Sequence, residues 1–366
     1  MSDDERHMHA ALALGRTGLG RTWPNPSVAC LLVKNGAIVG RGVTAPGGRP
    51  HAETTALAEA GEAARGATAY VTLEPCSHVG RTPPCADALI EAGVARVVAA
   101  MVDPDPRVAG NGMRRLAAAG IATTVGVLEA SARIEHAGHV ARVALGRPHV
   151  TLKIAVSSDG KIGRPGERVA ITGATANLAV HALRARHDAI MVGARTVAID
   201  DPLLSVRLPG YAGPNPVRVV LDTDLSLDPG SRLARDVGNG PVHVICGYGA
   251  PPGRAAALEA LGIRVLRVST NLYGSGLNLV VATRELVKLG LTRVLVEGGA
   301  RLSAALLARD LVDDVVVLTA PRPIGPGGLA ALAEGDLEMV LAGPRFAAVD
   351  RIARDADTER LFRRVR

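Results

Sequence analysis

Apolar positions in this chain come in short blocks, and the blocks switch between the two-residue period of strands and the period of helices. Ala and Leu recur at helical spacing over 9–16, which predicts a first helix that Trp23-Pro24-Asn25-Pro26 breaks. The apolar run at 28–33 predicts a buried strand. Asn35-Gly36 is a two-residue hairpin signal, so 37–42 returns as a second strand. His51 opens a helix over 52–60, ended by Gly61. Strands follow at 67–73, 94–102 and 121–125, with helices at 86–92 and 112–119, and Pro75 begins a turn or helix. This alternation describes a three-layer α/β domain of about five strands. A helix over 131–145 closes it, with Ile134, Ala137, Val140, Ala141 and Leu145 on one face. His136 and His139, three apart with no third ligand nearby, read as part of a solvated linker helix. Gly146-Arg147-Pro148 ends that helix and marks a boundary.

Beyond it the pattern restarts. A strand over 149–157 carries Lys153, and Asp159-Gly160 turns the chain. Helices are predicted at 174–185, 254–261, 279–289 and 300–309. Between them lie strands at 189–193, 217–222, 242–246, 263–268, 293–297 and 312–318, with edge strands in the tail. This is a second, mostly parallel α/β sheet. A strand running into Glu297-Gly298-Gly299 and then a helix lets backbone approach a phosphate at the helix amino end. No Gly-x-Gly-x-x-Gly follows a strand, so a Rossmann dinucleotide domain is not supported. Lys153, inside an apolar strand, needs a partner or a ligand.

Composition narrows the function. At 366 residues the chain exceeds one usual hydrophobic core, so two domains are expected, 1–146 and 147–366. Aromatic residues are 2%, too few for the stacking platforms of a single-stranded nucleic-acid binder. The net charge of +7 suits anionic small molecules, and no like-charge block longer than pairs such as Arg363-Arg364 points to nucleic acid. Cys30 and Cys246 sit in apolar runs and read as small core residues. With no disulfide framework, no signal peptide and no bilayer-length apolar span, the cytoplasm is expected by elimination.

The remaining cysteines carry chemistry. His51, Cys76 and Cys85 form a three-ligand set for Zn²⁺, which leaves the fourth tetrahedral position for water, as catalytic rather than structural sites do. Glu53, two residues after the histidine, can shuttle protons beside the metal. His-x-Glu followed by Pro-Cys and a second Cys is the signature of zinc deaminases that attack an amino-bearing ring carbon. Cys76 and Cys85 are separated by Ser77-His78-Val79-Gly80-Arg81-Thr82-Pro83-Pro84, longer than a Pro-Cys-x-x-Cys spacing. With Gly-Arg-Thr-Pro-Pro-Cys entire, the stretch resembles the deaminase half of the bifunctional riboflavin-biosynthesis enzymes, a pyrimidine deaminase fused to a reductase.

The second half resembles the reductase of the same family. The likeness rests on Lys153 with Ser157-Ser158-Asp159-Gly160, Ile171-Thr172-Gly173, Leu183-Arg184-Ala185, Thr196 with Asp200-Asp201-Pro202, Leu204 with Arg207, and Glu297-Gly298-Gly299. The resemblance implies a cytidine-deaminase-like three-layer domain followed by a dihydrofolate-reductase-like domain. It implies Zn²⁺ and NADPH as cofactors and often a homo-oligomer. It also implies deamination of 2,5-diamino-6-ribosylamino-4(3H)-pyrimidinone 5′-phosphate, then reduction of its ribosyl group to ribityl. By the same resemblance Asn25 faces the pyrimidine. NADPH lies against Val156, Ala170, Thr196, Asp200, Thr223, Gly299, Ala300 and Arg301. Substrate meets Lys153, Arg168, Arg184, Leu204, Arg207 and Glu297. Arginine suits the ribose phosphate because its planar fork matches phosphate oxygens; otherwise Arg184 and Arg207 would serve in ion pairs. Asp103, at a strand end, is a turn former or a substrate contact. Departures stand at Trp23, Ala29, Arg168 and Ala170, where many relatives carry His, Gly, Ser and Trp; the last removes a flat surface for NADPH. Two rivals remain: a nucleoside or tRNA deaminase with a non-catalytic nucleotide-binding appendage, and a zinc-stabilised scaffold that binds nucleotide without turnover.

Overall fold

The structure is a computed structural model that describes residues 1–79, 83–271 and 276–365. The chain divides into two compact units, Met1–Arg147 and Pro148–Arg366.

In the first unit the described residues form a five-stranded sheet of order β2-β1-β3-β4-β5. The strands are β1 (Ala29–Lys34), β2 (Ala37–Val43), β3 (Thr68–Val71), β4 (Arg96–Ala99) and β5 (Ala122–Val125). β1 and β2 are antiparallel, joined through Asn35 and Gly36, both at positive φ (52° and 77°), as a tight mirror-image turn demands. β3, β4 and β5 run parallel. Successive β1 side chains face opposite ways. Cys30 and Leu32 pack with helices α2 (Ala52–Ala60), α3 (Cys85–Glu91) and α4 (Asn111–Ala118). Leu31 and Val33 pack with α1 (Asp3–Gly15), α5 (Glu129–Glu135) and α6 (Ala137–Leu145). Both faces are covered, which makes three layers.

Two expectations need correction here. The first helix starts at Asp3, not near residue 9: Ser2 and Glu5 hydrogen-bond each other's backbone N–H as a capping box. The single helix expected over 131–145 is two, broken at His136 (φ −93°, ψ 15°). His136 and His139 are not solvated; they are 2% and 5% exposed. His136 Nε2 donates to the Thr72 carbonyl at 3.0 Å, and His139 Nε2 meets Asp103 Oδ1 at 2.8 Å. Satisfying those buried partners sets the helix break, while Ile134 and Leu145, read on one face with the buried Ala141, are exposed.

Among the described residues of the second unit, nine strands run in the order β10-β9-β8-β7-β11-β6-β12-β14-β13. β6 (His149–Val156), β7 (Ala189–Gly193), β8 (Val217–Leu221), β9 (Val242–Gly247), β10 (Arg264–Val268), β11 (Arg293–Val296) and β12 (Asp314–Thr319) are parallel. β13 (Phe346–Arg354) and β14 (Asp357–Arg364) form the antiparallel edge expected of the tail. The helices are α7 (Ala174–Ala185), α8 (Ala194–Asp200), α9 (Arg232–Arg235), α10 (Pro252–Glu259), α11 (Leu279–Lys288), α12 (Ala300–Ala308) and α13 (Leu337–Ala342). The apolar pattern did not announce α8, α9 or α13, which are only 7, 4 and 6 residues long. No helix among the described residues is long and apolar enough to cross a membrane.

Candidate active sites

α2 presents the first site. It packs so close to β2 that a Cβ on Gly42 would lie 2.1 Å from the Ala52 carbonyl. His51 caps the helix and Glu53 sits buried in its first turn. Cys85 opens α3, and Cys76 comes from the turn after β3. The three ligand atoms of His51, Cys76 and Cys85 all lie within 4.8 Å of one another. His51 Nδ1 is 3.7 Å from Cys76 Sγ and 3.3 Å from Cys85 Sγ. A tetrahedral zinc separates bound sulfur from bound nitrogen by about 3.6 Å, so the donor set fits the ion. The three groups also set one another's protonation. A hydrogen bond from the Cys85 thiol, opposed by burial and helped by His51, brings Cys76 down to about 4. The same bond, and then burial, pushes the Cys85 thiol far up. The hydrogen bond to Cys76 raises His51. Burial lifts the Glu53 carboxyl to about 7, and the Cys76 charge adds to the push.

Around this core the structure places residues that the sequence left open. Asn25 Nδ2 donates to the Gly48 carbonyl at 2.8 Å and lies 3.5 Å from His51 Nε2, so Asn25 borders the metal ligands. Asp103 acts as a turn former, accepting the Asp105 N–H at 2.8 Å, and as the partner of His139. His139 Nδ1 takes a hydrogen bond from Arg142 at 3.1 Å, and Arg142 donates to the Pro24 carbonyl at 2.6 Å, one residue before Asn25. His78 is exposed. Gly80, Arg81 and Thr82, which carry much of the distinctive insert, lie outside the described residues. Sequence reasoning missed Glu74. Its buried carboxylate accepts from the N–H groups of Asp103 (3.2 Å), Gly110 (2.8 Å), Gly112 (2.9 Å) and Met113 (3.2 Å). It thereby ties the Glu74-Pro75-Cys76 turn to the amino end of α4. The signal was a glutamate beside the ligand-bearing Pro-Cys.

The second site gathers at the carboxyl ends of β6, β7 and β11. Lys153 on β6 finds its partner in Glu297, Nζ to Oε2 at 3.8 Å. Arg184 on α7 grips the same carboxylate with Nε at 2.6 Å and Nη2 at 2.9 Å. Burial alone would raise Glu297, but the two cations outweigh it and hold the carboxyl at about 2. Arg184 spends another donor on the Ser205 carbonyl at 3.0 Å, so it is a part-buried ion-pair residue of this unit. Arg207 is exposed, its Nη1 donating to Ser205 Oγ at 3.0 Å. Burial first, then the charges of Arg184 and Arg232, push its guanidinium below the usual value. Several cations thus converge with one carboxylate among them, a field an added anion would relieve. Arg232 carried no sequence signal. Leu204 is buried at φ 52°.

The expected cofactor residues fall as follows. Val156 is buried at the end of β6, and Thr223 follows β8, its carbonyl accepting the Gly247 N–H at 3.0 Å. Gly299 caps α12, whose first turn holds Ala300 and an exposed Arg301. Among the described residues, a Cβ on Gly299 would meet only Thr196 Oγ1, at 4.0 Å, so bare backbone is open at a helix amino end. Because β7 and β11 are parallel neighbours, Thr196 and Gly299 come together. That cradle fits the phosphates of a dinucleotide. Asp200, at the end of α8, is raised by burial, against the pull of Arg168 and Lys153. Arg168 and Ala170 are exposed.

Comparison with known proteins agrees with this geometry. Residues 1–101 match the cytidine and deoxycytidylate deaminase zinc-binding region, and residues 148–346 match the RibD C-terminal domain. The riboflavin biosynthesis protein RibD of Haemophilus influenzae is 41% identical over 336 residues, 88% of this chain and 87% of its own length. That of Escherichia coli is 39% identical over 355 residues, 94% of each. The chain belongs to the RibD family. Among solved structures, Acinetobacter baumannii RibD superposes with a TM-score of 0.88 at 36% identity, over 100% of this chain and 99% of its own. The Thermotoga maritima diaminohydroxyphosphoribosylaminopyrimidine deaminase/5-amino-6-(5-phosphoribosylamino)uracil reductase gives 0.85 at 33% identity, over 99% of each chain. The protein is therefore a bifunctional deaminase and reductase of riboflavin biosynthesis, with a zinc-binding deaminase domain and an NADPH-dependent reductase domain. The appendage and scaffold readings fall.

Proposed function

We propose that Met1–Arg147 deaminates 2,5-diamino-6-ribosylamino-4(3H)-pyrimidinone 5′-phosphate, and that Pro148–Arg366 then reduces the ribosyl group of its product to ribityl. The observation that carries the first step is the convergence of Glu53 on the His51, Cys76 and Cys85 ligand set. Zinc bound there supplies a Lewis acid that makes water a nucleophile at neutral pH. Glu53 accepts the proton of the attacking water and returns protons to the ring nitrogen and the departing ammonia. Burial of Glu53 keeps bulk water from competing for those protons. Asn25 orients the pyrimidine from the Gly48 side of the site.

In the second step the cradle at Gly299, Ala300 and Arg301, with Thr196, seats the dinucleotide phosphates. Val156, Ala170, Asp200 and Thr223 line its remaining length. Hydride chemistry belongs to the nicotinamide; the protein positions it. Lys153, held beside Glu297, and Leu204 meet the substrate, while Arg168 and Arg207 meet its ribose phosphate, with Arg184 setting Glu297 in place. Four free thiols among the described residues support a reducing, cytoplasmic setting, and a homo-oligomer is the assembly proposed.

One assay with two readouts tests this. The zinc-loaded protein receives the diaminopyrimidine ribose phosphate and NADPH, and ammonia and NADPH loss are followed separately. Ammonia release followed by stoichiometric NADPH loss is expected. Glu53→Ala should abolish ammonia release while zinc content stays unchanged; full activity in that variant would sink the assignment.

A further inference from the structure

The segment Leu204 to Arg207 is held by side chains from two other elements. Leu204 is buried in the left-handed region, φ 52°, which a non-glycine residue keeps only where its surroundings over-determine it. Those surroundings can be named. His181 on α7 accepts the Arg207 backbone N–H on Nδ1 at 3.2 Å. One turn on, Arg184 donates to the Ser205 carbonyl at 3.0 Å. Asn215, before β8, accepts the Val206 N–H with Oδ1 at 2.8 Å, and its own Nδ2 donates to the Asn239 carbonyl at 2.9 Å. Each of the three residues after Leu204 thus has one backbone group tied to a side chain. Arg207 then folds back onto the tied segment through Ser205 Oγ. The accepting Nδ1 requires a neutral ring. Burial first, then Arg184 and Arg207, hold His181 down at about 4, against Glu297, so it stays neutral through the working range.

We propose that His181 and Asn215 are positioning residues of the reductase site: by fixing the backbone of 205–207 they present Arg207 already aimed at the phosphate of the sugar substrate. The proposal rests on the assignment of Arg207 to that phosphate. An arginine on an untethered loop must lose freedom when it binds an anion, whereas one whose backbone is fixed beforehand loses less. The contribution therefore appears in substrate binding, while the hydride step, set by the nicotinamide seat elsewhere, is spared.

The test uses the full chain with 5-amino-6-(5-phosphoribosylamino)uracil as substrate, so reduction is read without deamination. In His181→Ala and in Asn215→Ala, KM for this substrate should rise about tenfold, with kcat and the KM for NADPH within a factor of about two. Ammonia release by the same chains should be unchanged. His181→Asn, whose amide oxygen stands where Nδ1 was, should restore most of the affinity. An unchanged substrate KM in both alanine variants overturns the proposal. So does a joint loss of substrate and NADPH binding in both, because that marks a structural role. The two residues lie on different elements, so if one variant fails to fold the other decides. Arg207→Ala separates the two ideas: an unchanged substrate KM there would overturn the phosphate assignment itself.

Discussion

Glu74 accepts four backbone hydrogen bonds, and the turn that bears Cys76 hangs from them. Glu74→Ala leaves those buried donors unpaired, at about 1–3 kcal/mol for each group that water cannot reach. The expected result is a lower unfolding temperature and weaker zinc retention under chelator competition; unaltered zinc retention would show that the turn holds without its anchor. His187 makes the case for pH. Its Nδ1 donates to the Leu183 carbonyl at 2.7 Å, and Nε2 lies 3.0 Å from Thr151 Oγ1. Burial, and then Arg293, depress it to about 3. An unfolded histidine takes a proton near pH ~6.5. Between those values the unfolded chain binds the extra proton, so stability is present above the higher value and falls with pH across the window, by up to about 1.4 kcal/mol per unit. Nitrogen chemical shifts of the His187 ring at pH 5 should report the neutral form; a charged ring there would contradict this.

At the scale of elements, the closeness of α2 to β2 decides whether the deaminase site exists. α2 carries His51 and Glu53, and Gly42 lets it sit directly on the strand. Gly42→Ala would drive a methyl group into the Ala52 carbonyl, so helix or strand must shift, at a cost of about 1–3 kcal/mol. Ammonia release should fall at least tenfold, since reacting groups tolerate little displacement. NADPH oxidation with the already deaminated substrate should persist. Elements were also where sequence reasoning fared best and worst. The Asn35-Gly36 hairpin and helices α2, α7 and α11 follow from local rules of turn, cap and period. The break at His136 does not. It serves bonds to Thr72 and, three residues on, to Asp103, and no window of neighbouring residues contains either partner.

At the scale of the whole molecule, the two units carry separate chemistry, and removing the metal should divide them. Chelation should end ammonia release and leave reduction of 5-amino-6-(5-phosphoribosylamino)uracil within a factor of about two, because the second cradle is built from backbone and side chains rather than from the metal ligands. Loss of both activities on chelation would show that zinc also supports the second unit.

The sequence by itself determined the number of sheets and the family, and it offered His51, Cys76 and Cys85 with Glu53 beside them as a zinc site, because strand period, turn residues and motif chemistry are read along the chain. Long-range packing decided which charges meet. Arg184 and Glu297 stand 113 residues apart and form one part-buried pair, with Lys153 as the second cation on that carboxylate. Glu74 reaches across 36 to 39 residues to the amino end of α4. His181, Asn215 and Arg232 gather about Val206 and Arg207 with no local mark at all, since a side chain's partner depends on where the sheet order brings distant strands, and that order appears only when the chain is folded.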